Sequence, residues 1–379
     1  MNSHPEQNLP ANQLDFDLHG LVGIRLIEPG AADARGVSRQ LGPIQKPLDR
    51  PPDLTVRFVE KLETSSPVRL LGLDEAGYTE EGFLVLRSKH KAKARVQIPF
   101  EKIGQPCEIV CERGLPAVPL LVSIINLTAL AKGSLALHAS AFQYRGKGVL
   151  STGWSKGGKT EMLLAFMANG AEYIGDEWVY LSPDGKQMYG IPEAIRVWDW
   201  HLQELDHFKS RVKRSDQARL KAIKAGEVVA EWMAQSSLRK TPIGRAASRV
   251  KPVLSQQAYV DVPPDVLFGK TSDNLSGNVT DVFFVASQEA PGIRVEPLDP
   301  FKIAERMVFS LQYEYLRLVS YYLAFRFAFP HLRNGFLEDI ERLQRERLLK
   351  ILAGKKTHAV YHPYPVSLPA LYEAVCPIL

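Results

Sequence analysis

The sequence predicts an α/β protein with a core arranged around a glycine-rich loop and a small β-rich N-terminal lobe. The loop, residues 153–160, lies between an apolar stretch typical of a strand and one typical of a helix. Up to about residue 119, short apolar stretches alternate with turn-rich ones in the manner of β-strands. The 379 residues, 45% hydrophobic and 23% charged, suffice for a sizeable core and two or three domains. We therefore expect the lobe over residues 1–119 and the core over residues 120–379.

In the N-terminal lobe, five stretches predict strands and one segment predicts a long surface loop. The loop spans residues 30–53, where prolines and glycines bracket polar residues. Cys107 and Cys111 are four residues apart, which favours one face of a strand over a metal or redox site. With Cys376 the chain has three cysteines, which form no zinc pattern and are an odd number for a disulfide framework. The predicted strands are 21–27, 54–59, 83–86, 94–98 and 107–111.

The core is predicted to mix strands with helices. Its strands are expected at 135–142, 148–152, 173–181, 281–285, 293–296 and 357–361. Its helices are expected at 120–132, 161–168, 300–329, 336–352 and 369–375, with a basic helical excursion over about 199–251. The aromatic-rich stripe that includes Phe309, Tyr313, Leu316 and Ser320 is predicted to be core, with a base-stacking platform as the alternative.

Residues 153–160 match the pattern G-x-x-x-x-G-K-[ST], which is typical of a loop that binds nucleotide phosphates. Glycines let the backbone curve around phosphates, and the first N–H groups of the following helix have no partner within it. Lys159 adds a charge at the β- and γ-phosphates, and the Thr160 hydroxyl is placed to ligate Mg²⁺. The alternative is an ordinary glycine turn that opens a helix. The predicted phosphate-binding residues are Gly153, Trp154, Ser155, Lys156, Gly157, Gly158, Lys159 and Thr160.

Asp176 and Glu177 stand side by side in an otherwise apolar stretch. Two carboxylates in a buried strand are costly unless a cation or a substrate proton compensates them. In nucleotide enzymes with a phosphate-binding loop, an acid at a strand end near the phosphates holds Mg²⁺ or positions the nucleophile. The alternative is a bend in the sheet that lets both acids reach water. We expect Thr160, Asp176 and Glu177 to form a Mg²⁺ site.

Taken together, these motifs resemble the HPr kinase/phosphorylase family and its related kinases. The residues that carry the resemblance are Leu137-His138-Ala139-Ser140, Gly148-Val149-Leu150, the loop 153–160 with Glu161, and Gly175-Asp176-Glu177. The resemblance is specific over residues 120–197 and looser over 279–379. It implies a phosphoenolpyruvate-carboxykinase-like fold with a phosphate-binding loop. It also implies phosphoryl transfer from ATP, or another nucleoside triphosphate, with Mg²⁺, to a hydroxyl group, typically a serine of a small protein.

The resemblance also assigns roles to single residues. His138 corresponds to the active-site histidine of the family, Asp176 to its base and Glu177 to its second acid. Arg196 is similar to a basic residue that many relatives place after the acidic strand, and Lys159 completes the expected catalytic set. From the residues alone, His138 has a structural alternative. Arg196 is either a surface charge or a second cation for the γ-phosphoryl oxygens.

The sequence departs from the pattern of the family in three places. Lys156 stands where family members usually have a glycine, and Glu177 replaces a second aspartate. The N-terminal lobe has no counterpart in the family, so the resemblance does not identify the phosphoryl acceptor.

Basic residues are concentrated in residues 209–251. This segment has twelve Lys and Arg against three Asp and Glu, a net charge of +9 within a chain of +5, so the remainder carries −4. Such asymmetry predicts a surface for an anionic partner, here an acidic acceptor, with a solvated helix face as the alternative. The basic residues are Lys209, Arg211, Lys213, Arg214, Arg219, Lys221, Lys224, Arg239, Lys240, Arg245, Arg249 and Lys251.

The sequence therefore predicts an ATP-dependent kinase that acts on a hydroxyl of a protein, a peptide or a small molecule. Two alternatives stay open: a nucleotide-binding switch or scaffold with little phosphoryl transfer, and a nucleic-acid-associated protein, which no recognised nucleic-acid motif supports. The polar N-terminus has no apolar signal core, and the longest apolar stretch, 318–329, is too short for a membrane span. We expect a cytoplasmic protein without a membrane partner, and leave open whether it forms a homo-oligomer.

Overall fold

The computed structural model describes residues 12–42, 44–70, 76–87, 93–235, 241, 249–250, 252–269 and 274–379. Over these residues the chain is a mixed α/β protein built on two large sheets. The strands of its first third are β1 (Gln13–Leu18), β2 (Val22–Ile27), β3 (Leu54–Val59), β4 (Arg69–Leu70), β5 (Gly77–Tyr78), β6 (Phe83–Arg87), β7 (Lys93–Gln97) and β8 (Cys107–Glu112).

The remaining strands and all the helices follow in the same order as the chain. The strands are β9 (Leu135–Tyr144), β10 (Lys147–Thr152), β11 (Glu172–Gly175), β12 (Trp178–Leu181), β13 (Gln187–Gly190), β14 (Ile195–Trp198), β15 (Tyr259–Val262), β16 (Ser276–Asn278), β17 (Asp281–Ser287), β18 (Arg294–Pro297) and β19 (Lys356–His362). The helices are α1 (Ala31–Leu41), α2 (Leu121–Ala131), α3 (Lys159–Met167), α4 (Asp199–Glu204), α5 (Asp206–Lys209), α6 (Arg214–Gln235), α7 (Pro264–Phe268), α8 (Pro300–Glu314), α9 (Leu316–Ala328), α10 (Gly335–Glu338), α11 (Ile340–Leu352) and α12 (Leu368–Val375).

The first sheet confirms the five strands predicted for the N-terminal region. Its order is β1-β2-β3-β8-β7-β6, and β3 runs parallel to both β2 and β8. Side chains of β8 alternate between buried and half-buried, as expected for a sheet with one face on the core. Cys107 and Cys111 both lie on the buried face of this strand and are free thiols. The prediction that they share one strand face is confirmed.

The expectation of a surface loop over residues 30–53 is wrong, because most of its first half is helix α1. Val37 and Leu41 of this helix are buried in the main hydrophobic core. Asp33 closes the first turn by accepting the Gly30 N–H at 3.0 Å. The glycines and prolines that suggested a loop lie mostly at the ends of the helix, where such residues are expected. Amphipathic burial therefore outweighed the turn-forming composition.

The second sheet carries the glycine-rich loop. Its order is β16-β13-β12-β9-β10-β17-β19-β18, with β11 also paired to β9. Strands β10, β17 and β19 are parallel neighbours, so their carboxyl ends meet at one edge. One face of the sheet packs with α8 and α11 in a core shared with the first sheet, and the other packs with α3 and α12 in a second apolar cluster.

The predicted strand 173–181 is interrupted at its acidic pair. It forms two strands, β11 and β12, with a tight turn at Asp176 and Glu177 in which the Trp178 N–H donates to the Asp176 carbonyl at 2.8 Å. Glu177 has φ 65°, in the left-handed region that a strand residue does not adopt. The other predicted core strands and helices are present. The short strands β13, β14, β15 and β16 were not predicted, because runs of three or four residues give little periodicity.

The basic excursion is helical over α4, α5 and α6, as predicted. Four of its basic residues, Arg239, Lys240, Arg245 and Lys251, lie outside the described residues.

The aromatic stripe on α8 and α9 is not core, which corrects the prediction. Phe309, Tyr313 and Leu316 are 59%, 49% and 56% exposed, and Ser320 is exposed as well. The buried face of these helices is formed instead by other residues, including Leu311 and Leu318.

None of the helices that the structure describes combines the length and the apolar composition that a membrane span requires.

Candidate functional site: a charged cavity at the glycine-rich loop

The glycine-rich loop lies at the edge where the parallel strands of the second sheet end. It connects β10 to α3, beside the last residues of β17 and β19. This edge, outside the carboxyl ends of parallel strands, is where α/β sheets commonly bind ligands. The order of strand, loop and helix predicted from the sequence is present.

Two glycines of the loop are required by close backbone contacts. A Cβ atom at Gly153 would lie 2.2 Å from the Val285 carbonyl oxygen. Gly158 has φ 108°, and a Cβ atom there would lie 2.1 Å from Nε2 of His362. Any larger residue at either position would push the loop away from β17 and β19.

Lys159 is buried at the start of α3, and its ammonium group folds back onto the loop. Its Nζ donates to the Trp154 carbonyl at 2.9 Å and lies 3.5 Å from the Gly153 carbonyl. Its own carbonyl accepts the Ser140 hydroxyl at 2.7 Å, which fixes the first turn of α3 to β9. Burial lowers the pKa of Lys159, against the attraction of Glu177 and Asp176. The cation is therefore placed without a carboxylate in direct contact.

Thr160 and Asp176 are joined by a hydrogen bond. The Thr160 hydroxyl donates to Oδ2 of Asp176 at 3.0 Å. Burial, followed by repulsion from the Glu177 carboxylate, raises the pKa of Asp176 to about 7, although the Thr160 hydrogen bond opposes this shift. The turn at the acidic pair sends the two side chains in different directions. Asp176 stays buried towards α3, whereas the Glu177 side chain is 53% exposed and lies towards His138.

His138 lies between two carboxylates. Its Nε2 is 3.2 Å from Oε2 of Glu177, and its Nδ1 is 2.9 Å from Oε1 of Glu314. Burial alone would lower the pKa of His138, but the Glu177 and Glu314 carboxylates outweigh burial and raise it. In turn, contact with His138 lowers the pKa of Glu177. The arrangement favours an imidazolium flanked by two carboxylates.

These groups converge on one cavity of about 590 Å³. It is lined by residues that come from six separate parts of the chain, so tertiary packing assembles it. The lining residues are His138, Ser155, Lys156, Gly157, Gly158, Lys159, Thr160, Glu161, Asp176, Glu177, Arg196, Trp198, His201, Ser287, Glu314 and Tyr364. The structure therefore brings together six of the eight predicted loop residues with His138, Asp176, Glu177 and Arg196. Gly153 and Trp154 contribute through their carbonyls to Lys159.

Arg196 lies at the rim of the cavity on β14. Its Nε donates to Oδ1 of Asp261 at 3.0 Å, and its guanidinium lies 4.1 Å from the centre of the Tyr259 ring. The side chain is half exposed. Arg196 is thus held by the neighbouring strand β15, within reach of the cavity but outside the buried cluster.

Several polar residues of the cavity were not predicted from the sequence. His201 is fully buried, and its Nε2 lies 3.3 Å from Oε1 of Glu161 on α3. His362 is also fully buried, with Nε2 2.9 Å from the Gly157 carbonyl. Because His362 ends β19, its position at the carboxyl end of a parallel strand is a signal that could have identified it. Glu314 offers no such signal, since it lies 176 residues from His138 on a helix.

Both departures from the family pattern fall in the left-handed backbone region. Lys156 has φ 61° and Glu177 has φ 65°. Glycine adopts this region at no steric cost and aspartate more readily than glutamate, so the usual residues of the family suit this backbone better. The departures therefore change residue type at positions whose backbone still follows the glycine- and aspartate-like conformation.

In the described part of the chain, no three His, Cys, Asp or Glu side chains are grouped closely enough to hold a metal ion alone. Mg²⁺ usually takes one or two protein ligands and completes its shell with water and phosphate oxygens, so the Thr160–Asp176 pair fits a Mg²⁺ bound with a nucleotide. A cation beside Asp176 would also offset the burial that raises the pKa of its carboxyl group. Glu177, turned towards His138, is less well placed for this role.

Compared with models of known protein families, the chain matches none, and a search of curated proteins found no match either. The site is therefore interpreted from its own geometry.

Proposed function

We propose that this protein is a nucleotide-dependent kinase that transfers a phosphoryl group from ATP, or another nucleoside triphosphate, to a hydroxyl group. The observation that supports the proposal best is the convergence of Lys159, Thr160 and Asp176 at the amino end of α3, beneath a glycine-rich loop. A helix amino terminus, a mobile cation and a hydroxyl–carboxylate pair are the parts that phosphoryl transfer requires.

The loop and Lys159 bind the phosphates in this proposal. In the ligand-free chain the Lys159 ammonium donates to loop carbonyls, which are weaker acceptors than phosphate oxygens. A bound triphosphate would draw the ammonium away from the Trp154 carbonyl. Thr160 and Asp176 would hold Mg²⁺, which when bound neutralises charge on the β- and γ-phosphates.

Asp176 is proposed to accept the proton of the attacking hydroxyl. Its pKa of about 7 makes it a far stronger base than an ordinary aspartate while leaving a large fraction ionised at neutral pH. His138, favoured in its protonated form by Glu177 and Glu314, presents a cation on the same side of the cavity. Arg196 at the rim supplies a second positive charge for the γ-phosphoryl oxygens.

The family resemblance supports the same reaction and a related core, which we propose to be of the HPr-kinase-like, phosphoenolpyruvate-carboxykinase-like type with a phosphate-binding loop. The acceptor is a hydroxyl of a protein, a peptide or a small molecule. The exposed cations of the basic excursion favour an acidic acceptor, because the phosphates already have Lys159 and the helix terminus.

The test is incubation of the protein with γ-labelled ATP, Mg²⁺ and a panel of serine peptides, acidic peptides, free serine and polyols. We expect label or an 80-Da mass increase, that of one phosphoryl group, on one class of acceptor, together with slow hydrolysis in the absence of acceptor. Lys159→Ala should abolish both activities, whereas Lys156→Ala, a change on the exposed part of the same loop, should retain them. Nucleotide binding without transfer to any acceptor or to water would favour the switch or scaffold alternative instead.

A further inference from the structure

An exposed row of side chains runs along α8 and α9, on the outside of the protein. Its members are spaced alternately by four and three residues between positions 302 and 327, and every one of them is exposed. We call this row the α8–α9 seam. It consists of Lys302, Arg306, Phe309, Tyr313, Leu316, Ser320, Leu323 and Phe327.

The two helices present the seam along a continuous backbone. At their junction the Tyr315 N–H donates to the Leu311 carbonyl at 3.1 Å, and the Val319 N–H donates to the Tyr315 carbonyl at 2.9 Å. Helical hydrogen bonds therefore continue through the single residue that separates α8 from α9. A strict 3.5-residue repeat on such a backbone is the pattern to which a second helix packs.

The seam exposes more apolar surface than a solvated helix face needs. Leu323 and Phe327 are 62% and 78% exposed, although other residues of the same helices, such as Phe325, are fully buried. Single exposed apolar side chains are common in proteins, but a contiguous row of them marks an interaction surface.

The charges around the seam indicate the chemistry of what covers it. Lys302, Arg306 and Arg317 form no ion pair with any described residue. The nearest acids on α8 are already engaged, since Glu305 pairs with Arg345 and Glu314 lies against His138. A second copy of this chain would bring three more cations to the interface and no free carboxylate. The seam therefore suits a partner that is acidic.

We propose that the α8–α9 seam docks an amphipathic α-helix of another protein, one with apolar side chains at 3.5-residue spacing and acidic residues that face Lys302 and Arg306. Apolar contact with Phe309, Leu316, Leu323 and Phe327 supplies the buried area of this interface, and the cations fix the direction of the bound helix.

The seam is in contact with the glycine-rich loop. The Tyr313 ring packs against the Trp154 ring of the loop with 4.9 Å between ring centres. The next residue, Glu314, contacts His138, and the Ser310 hydroxyl lies 3.4 Å from the Gly153 carbonyl. A helix that covers Tyr313 also covers Trp154, so docking changes the surroundings of the loop. The docking itself does not depend on the proposed kinase activity.

The probe is a synthetic four-heptad peptide with leucine at the two seam positions and glutamate at the flanking positions, compared with the same peptide carrying lysine for glutamate. Calorimetric titration into the full chain is expected to show binding of the acidic peptide and at least about tenfold weaker binding of the basic one, since several like charges would oppose its docking. Docking should also shift the tryptophan emission to shorter wavelength, because Trp154 is 49% exposed in the free protein.

Leu316→Ser combined with Leu323→Ser should weaken binding of the acidic peptide at least about tenfold, as loss of two buried leucine contacts predicts. The control, Val228→Ser with Val229→Ser, removes two equally exposed apolar side chains from α6 and should leave binding unchanged. All four substituted positions are exposed, and circular dichroism checks that each variant folds.

Three results would overturn the proposal. Equal affinity for the two peptides would remove the acidic partner. A doubled molecular mass of the free chain that the leucine variant reverts would identify a second copy as the occupant. Binding to vesicles of anionic lipid without binding of either peptide would identify the seam as a lipid-facing surface.

Discussion

Charge is used in opposite ways in the cavity and in the basic excursion. In the cavity, Lys159 and Asp176 are buried beside other charged groups, and both have a shifted pKa. On α6, Arg214 and Lys221 are exposed and form no ion pair with a described residue. Burial strengthens each electrostatic interaction and changes proton affinity, whereas exposed charges act through a field that salt screens.

The comparison indicates a division of roles. Groups with shifted proton affinity can take part in a reaction, and they reduce stability because they are costly to bury. The exposed cations cost little and can attract an acidic molecule from solution. If this division is correct, substitutions in the two regions should differ in size, in salt dependence and in their effect on stability.

Asp176→Asn is expected to have the largest effect on turnover. The amide cannot accept the proton of a hydroxyl, so turnover should fall by on the order of 10² or more, while nucleotide affinity stays within about tenfold. Initial rates and nucleotide titrations measure the two effects. Glu177→Gln serves as the comparison and should be milder, because Glu177 lies against His138 instead of Thr160. Equal and small effects of both variants would point to a structural acidic pair.

Charge reversal on the excursion should have a smaller, salt-dependent effect. Changing Lys213, Arg214 and Lys221 to Glu is expected to raise KM for an acidic acceptor about threefold to tenfold at low salt and to leave KM for ATP nearly unchanged. Arg211 is left intact because it donates to the Leu267 carbonyl at 2.8 Å. A rise in KM for ATP alone would show that the segment acts on the nucleotide, as a lid does.

Glu314→Gln should change the pH dependence of the cavity. Because the Glu314 carboxylate helps to raise the pKa of His138, its loss should move the titration of this histidine to lower pH. The ring signals of His138, followed by NMR as pH is raised, measure the shift. Glu305→Gln is the matched control, since it lies on the same helix and pairs with Arg345 instead. An unchanged titration in Glu314→Gln would show that the contact is not maintained in solution.

The same Asp176 should make the ligand-free protein less stable at high pH. The pKa of Asp176 is about 7 in the folded chain, above its ordinary value of 3.8, so the folded state binds this proton more tightly than the unfolded state. Stability is therefore lost as pH rises from about 4 through 7. Asp176→Asn should raise Tm in EDTA by on the order of 2 °C at pH 8 and by less at pH 5. A variant that is equally stabilised, or not stabilised, at both values would contradict the burial of an ionisable carboxyl group.

Much of the site could be predicted because local order along the chain determines it. A strand, a glycine-rich loop and a helix form one supersecondary unit, so Lys159 and Thr160 had to lie together at the start of α3. Asp176 and His138 reach the same cavity because their strands pair with each other and with β10.

The rest of the site depends on tertiary packing that no local pattern encodes. Glu314 and His201 reach the cavity from helices whose positions are set by distant contacts. The α8–α9 seam was expected to be buried because aromatic composition predicts burial only on average, and the side of a helix that faces the core depends on its neighbours. Helix α1 was missed because its flanking glycines and prolines resemble those of a loop.

The central claim is that the cavity binds a nucleoside triphosphate through the glycine-rich loop and Lys159. Calorimetric titration of ATP with Mg²⁺ into the wild-type chain, Lys159→Ala and Lys156→Ala tests it most directly. We expect saturable binding to the wild type, at least about tenfold weaker binding to Lys159→Ala and at most about a threefold change for Lys156→Ala, because only the buried ammonium contacts the phosphates. No binding of ATP to the wild type, or equal affinity of the wild type and Lys159→Ala, would contradict the account.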